Sequence, residues 1–188
     1  FDYKDRIPNN TNLVPVFHSV KGFSIASTFM SDDFYGLMDA DEGSMVTKKG
    51  VDIAVGRMVF SNALEAEIVV QKVLNYYQKE AFGKWRNDIV LVSDDVDEYW
   101  EGKLQQGIDD IGTRIEIEKP FFNIKKIHCD SYVQETTSGG DRYPEVRKDL
   151  IRAFENGSLI INYFGHGGED GLADERILEK IDVQQVTN

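Results

Sequence analysis

The stretch Asp88-Ile89-Val90-Leu91-Val92-Ser93 constrains the fold most. Four consecutive apolar residues put hydrophobic side chains on both faces of an extended segment, so both faces require cover. Six residues is strand length and well short of an ordinary helix. A second such run, Ser158-Leu159-Ile160-Ile161-Asn162-Tyr163-Phe164, stands between Asn156-Gly157 and Gly165-His166-Gly167-Gly168, and a third runs from Ile124 to Cys129 and ends in Asp130. Helical periodicity separates them. Trp100, Leu104, Ile108 and Ile111 recur at i, i+4, i+8 and i+11 and predict a helix over about 97–111. Pro144 at a first turn, then Val146, Leu150, Ile151 and Phe154, and the Asn156-Gly157 stop predict another. Upstream, Asn62 followed three residues later by Glu65 is a capping-box pattern. Ala66, Val69, Val70, Val73, Leu74 and Tyr77 then give a stripe expected to pack on a sheet. Strands alternating with helices predict an α/β/α sandwich around a mainly parallel sheet. No repeat or linker divides it, so one lobe is expected over 1–188.

Residues 1–50 are less regular. Asn12 to Phe17 reads as a short edge strand, since Pro15 cannot donate to a central ladder. Val51 to Val55 alternates and reads as a strand stopped by Gly56-Arg57, and Thr136 to Asp141 reads as a polar loop. Asp39, Asp41 and Glu42 crowd one turn-rich acidic segment, and Ca²⁺ is the ion such oxygens would take. The EF-hand template fails there, with Ser44 and Gly50 where it needs glycine and glutamate.

A net charge of −12 repels phosphate backbones, which argues against nucleic acid as a partner. No apolar run has the ~20 residues of a membrane-spanning helix. The single cysteine, Cys129, excludes an internal disulfide. The chain opens on Phe1-Asp2-Tyr3-Lys4, without an initiator Met or a signal-peptide pattern, and is expected to be an excised piece of a longer protein.

The candidate chemistry centres on His166. In open α/β sheets, ligands and reacting groups gather at the carboxyl ends of strands. Glycines on both sides let the backbone approach another molecule, and an imidazole near its ordinary pKa takes and returns protons at neutral pH. The Gly167 amide is a candidate oxyanion donor. A base needs a carboxylate on its second nitrogen. Asp94 and Asp95 end a different apolar strand and reach the same sheet edge if the strands are parallel, although an Asp there also suits the following helix dipole. Cys129 would form a dyad with His166 only if their strands were neighbours, and a buried apolar role suits it better. A metal-dependent alternative uses His166, Asp170 and Asp174 as ligands, without any H-E-x-x-H pattern to support it. A second alternative is a non-catalytic, calcium-binding extracellular interaction module.

The segment Ile161-Asn162-Tyr163-Phe164-Gly165-His166-Gly167-Gly168-Glu169 resembles the histidine motif of the gingipain family of cysteine peptidases. Phe1-Asp2-Tyr3-Lys4, Ser31-Asp32-Asp33-Phe34-Tyr35-Gly36 and Asp52-Ile53-Ala54-Val55-Gly56-Arg57 extend the similarity over nearly the whole chain, towards the signal peptidases of type IX secretion in Bacteroidetes. The resemblance implies a caspase-like α/β fold, present as an incomplete domain. It makes His166 the catalytic histidine, Gly167 an oxyanion donor and Asp95 or Asp94 the acidic support, and it puts Asp97 near the substrate-pocket carboxylate. It also implies a nucleophilic cysteine beyond a further strand, so that this chain is inactive alone and Cys129 is not the nucleophile. The function it implies is processing of C-terminal sorting signals, by hydrolysis or transpeptidation. No cofactor is required. The expected partners are a protein or peptide substrate, the rest of the same protein and other secretion components, on the extracellular side of the outer membrane.

Overall fold

Residues 88–93 form the middle strand, β3, of a three-stranded parallel sheet ordered β4-β3-β7, with β4 at Asn123–His128 and β7 at Ile160–Phe164. A computed structural model describes residues 14–19, 29–43, 45 and 49–186 of the chain. Phe1 to Lys4, Asn12, Leu13 and Ser44 lie outside the described residues. The chain divides into two compact units, 1–74 and 75–188.

The second unit has the expected three layers. Val90 and Val92 point to one side of β3 and join Ile127, Cys129, Val146, Leu150 and Ala153 beneath helix α3, Pro144–Asn156. Ile89 and Leu91 point to the other side and meet Ile108 of helix α2, Gly102–Glu118. Both sets are buried, which is why the run shows no polar alternation. Burying one aliphatic side chain of this kind contributes about 1.5–3 kcal/mol. The central strand and its two helices therefore hold the unit together.

Helix α2 differs from the expected 97–111. Tyr99–Glu101 form a 3-10 turn, the α-helix begins at Gly102, and it continues to Glu118. Its buried line runs through Ile108 and Gly112, while Ile111 is 46% exposed. Gly112 explains the shift, because a Cβ there would lie 2.6 Å from Lys126 Cε and 3.2 Å from Leu91 Cδ1. The helix approaches the sheet on the residue with no side chain, and apolar spacing alone does not reveal that. Cys129 falls just past β4, in a 3-10 turn. The 136–141 segment is a hairpin of β5 (Glu135–Thr137) and β6 (Gly140–Arg142), with Gly140 at φ 101°. After β7 come the short antiparallel pair β8 (Gly171–Leu172) and β9 (Leu178–Glu179), then helix α4 (Lys180–Gln185).

In the first unit, β1 (Phe17–His18) pairs antiparallel with β2 (Met30–Ser31). Phe17 stacks on Phe34 with ring centroids 5.2 Å apart. Arg57 grips Asp32 with two nitrogens at 2.6 Å and donates to the carbonyl of Pro15 at 2.8 Å. That fork joins two of the motif segments read in the sequence. Residues 51–55 form no strand. They pass over Gly36, whose carbonyl accepts the amides of Asp52 and Ile53 at 2.8 and 3.4 Å. A Cβ on Gly36 would lie 2.7 Å from the Ile53 carbonyl oxygen. Weak alternation signals extended backbone there, but among the described residues no ladder partner meets it. Helix α1, Ala63–Tyr76, starts as its sequence indicates, with Asn62 Oδ1 accepting the Glu65 amide at 3.0 Å. Of the expected stripe, Val70, Val73, Leu74 and Tyr77 are exposed, Ala66 and Val69 are half-buried, and no described residue of the helix is buried.

Candidate active site

The parallel register decides what meets His166. Ser93 pairs with Phe164 across β3 and β7, so the next residues, Asp94 and Gly165-His166, leave the sheet side by side. The Asp94 amide still reaches the Phe164 carbonyl at 3.3 Å. Asp94 Oδ2 then accepts two hydrogen bonds from His166, from its backbone N–H at 2.7 Å and from ring Nδ1 at 2.9 Å. A carboxylate only accepts, so Nδ1 carries the proton and Nε2 is the nitrogen available to a reacting partner. The Tyr163 hydroxyl donates to the His166 carbonyl at 2.6 Å. Burial, then the charge of Asp94, pushes the Tyr163 phenol up, so it stays an O–H donor.

The Asp94 side chain is almost completely buried and the His166 side chain is half-exposed. This is a fixed carboxylate holding an accessible ring. The Asp94 hydrogen bond raises the His166 pKa above its ordinary 6.5, desolvation opposes it, and Glu101 and Asp174 add to the rise. On the ring's far side, Glu101 Oε1 lies 3.4 Å from Nε2, and the Trp100 ring meets the imidazole edge-on at 5.9 Å between centroids. Glu101 and Trp100 are site residues that motif reading misses. The usable signal is Glu98-Tyr99-Trp100-Glu101, a capping box that fixes where a helix start delivers its side chains.

Asp95 turns away from the histidine. It accepts from the Tyr143 hydroxyl at 3.1 Å and from Gln134 Nε2 at 3.4 Å, and Gln134 also reaches Glu175 Oε1 at 3.5 Å. Of the two candidate supports, Asp94 therefore makes the contact. Asp97 is exposed, and its amide donates to Glu101 Oε2 at 2.9 Å. Gly167 is exposed in the tight loop after β7, bridged to Leu172, with Gly168 N–H on the Gly171 carbonyl at 2.9 Å.

Asp94, Asp95 and Glu175 bring ligand atoms within 4.8 Å of one another, the one such trio of possible metal ligands among the described residues. Hard oxygens of this kind suit Ca²⁺ or Mg²⁺. Burial, with Asp95 and Asp94 adding repulsion, pushes Glu175 up to about 7. Asp94 has meanwhile committed one oxygen to His166. The trio therefore reads as a proton-holding carboxyl group beside the histidine's support. Of the other acidic candidates, Asp39 lies 2.7 Å and Asp41 3.8 Å from Lys49 Nζ, and Glu42 is buried with Oε2 on the Asp39 amide at 3.1 Å. Asp170 faces Lys180 at 3.4 Å.

Glu175 gives a pH signature. Its carboxyl binds a proton more tightly folded than unfolded, so its stabilising effect is complete below about 4.5 and lost as pH rises through about 7. Glu175→Gln is expected to be more stable than the parent at pH 8, by about 3 kcal/mol, and nearly equal at pH 4.5. Urea unfolding at the two pH values measures this, and equal differences at both would contradict it.

Cys129 is completely buried in the core under α3, and burial together with Asp94, Asp95 and Glu175 pushes its thiol far up. The strand it follows, β4, is separated from β7 by β3, so the neighbour condition for a Cys129–His166 dyad is not met.

A half-exposed histidine at a sheet edge, its Nδ1 on a buried aspartate, has the geometry that a general base beside a nucleophile requires. The family model described as Peptidase family C25 matches residues 1–188. The chain belongs to peptidase family C25, the gingipain family of cysteine peptidases. No curated protein and no solved structure matches it. The mixed α/β architecture of the C25 chain's second unit, with its parallel three-stranded sheet, is consistent with the fold the gingipain resemblance implied.

Proposed function

We propose that this C25 chain supplies the base-bearing part of a PorU-type cysteine endopeptidase or transpeptidase. Its substrates are C-terminal sorting signals of proteins exported by a type IX secretion system, and it works at the bacterial cell surface. The observation that carries the catalytic part is the two-point hold of Asp94 Oδ2 on His166, which sets the tautomer and leaves Nε2 as the basic nitrogen. In this reading His166 Nε2 removes the proton of a cysteine thiol contributed by another part of the protein. The thiolate sulfur attacks the scissile carbonyl, Gly167 N–H helps hold the oxyanion, and His166 returns the proton to the leaving amine. Water or an acceptor amine then releases the acyl group from sulfur. The ordered motif series supports the sorting-signal specificity.

The test is a peptide probe with a thiol-reactive group, built on a sorting-signal sequence. In the protein carrying this chain, the probe is expected to label a cysteine other than Cys129, and His166→Ala is expected to remove at least 99% of the labelling. Cys129→Ala is expected to label normally. Histidine-dependent labelling of Cys129 would overturn the assignment, and equal labelling by unrelated peptides would overturn the substrate class.

A further inference from the structure

We propose that Glu101 is a positioning residue for His166, pairing with Nε2 of the protonated ring while Asp94 holds Nδ1, so that the imidazolium is held between two carboxylates from different elements. Three observations carry it. Glu101 Oε1 lies 3.4 Å from His166 Nε2, and Glu101 is 5% exposed although charged. A buried carboxylate needs partners. Its second oxygen, Oε2, is occupied by the backbone amides of Asp97 at 2.9 Å and Glu98 at 2.7 Å. Those bonds fix the side chain and leave Oε1 presented to the ring. Trp100 closes the same side by meeting the imidazole edge-on.

The acidic groups acting on the ring are Asp94 from the end of β3, Glu101 from the turn before α2 and Asp174 from the loop after β8. Asp94 occupies the nitrogen that orients the ring. Glu101 occupies the nitrogen that has to face a reacting group, so an incoming nucleophile or leaving group takes the place of Glu101. The functional meaning rests on His166 being the base. The geometry does not, and the experiment below reads the ring rather than turnover.

The test follows the His166 ring by NMR across pH in the whole chain, its signals assigned by their loss in His166→Gln. Glu101→Gln keeps a carbonyl oxygen for the Asp97 and Glu98 amides and removes only the charge. It is expected to lower the His166 midpoint by about one pH unit, as loss of an opposite charge at this range does. Glu101→Asp keeps the charge but withdraws it by one methylene, and is expected to lower the midpoint by less. A helix-capping role alone would change the melting temperature and leave the midpoint where it was. An unchanged midpoint in either folded variant overturns the proposal. If neither variant folds, the parent chain decides through nuclear Overhauser contacts of the His166 ring. Contact of the Hε1 edge with Glu101 Hγ supports the pairing, and its absence overturns it. Unchanged peptidase activity with a normal midpoint shift would count against the function above, not against this pairing.

Discussion

Asp94→Asn is expected to lower kcat/KM of the C25 peptidase by about 10³–10⁴-fold, the loss typical when the carboxylate behind a catalytic histidine becomes an amide. The geometry explains the size. One oxygen, Oδ2, accepts both the His166 backbone amide and ring Nδ1. An asparagine oxygen in that place keeps the bonds but loses the charge that favours the imidazolium, and an asparagine nitrogen would face two donors. The His166 midpoint should fall in either case, since the Asp94 hydrogen bond is the largest cause of its rise. The sign for stability follows. A histidine whose folded pKa is raised stabilises fully below about 6.5 and loses that contribution as pH rises through the folded value. The parent should therefore exceed Asp94→Asn in stability by more at pH 5.5 than at pH 9. Peptide-hydrolysis kinetics and urea unfolding at both pH values check this. A variant within tenfold of the parent would remove Asp94 from the catalytic group.

Gly165→Ala is expected to destabilise the chain by about 1–3 kcal/mol, the usual cost of overpacking a filled site, and to lower activity by about 10²-fold. An added Cβ would lie 2.6 Å from Asp94 Cβ and would also press on the Tyr163 hydroxyl. The loop has to move away from β3, and it carries the His166 amide and ring off Asp94 Oδ2. Displacements of about 1 Å at a reacting group cost about this much in rate. Gly168→Ala is the control, since nothing lies within 4 Å of a Cβ there, and it should stay close to the parent. Denaturant midpoints of the two variants test this directly, and equal midpoints would show that the loop absorbs the methyl group.

Much of the second unit is legible in the order of its residues. The double-sided apolar run of β3 requires two covering layers, and Val90 with Val92 face α3 while Ile89 with Leu91 face α2. Pro144 and Gly157 bound α3 as their backbone preferences dictate. The stripe on α1 misleads, because amphipathic spacing reports that a face is apolar and not whether anything covers it. In α2 the closest approach falls on Gly112, a residue hydrophobic counting passes over.

The site divides along the same line. That a histidine set among glycines ends one apolar strand, and that two aspartates end another, follows from the residues alone, because composition and local backbone preference act over a few positions. Which aspartate takes the ring depends on the β3–β7 register, since a one-residue slip would exchange the roles of Asp94 and Asp95. Glu101, on the ring's other nitrogen, and Glu175, buried beside Asp95, arrive from segments far away in the chain. Their roles come from burial and through-space charge, and those exist only once the sheet has formed.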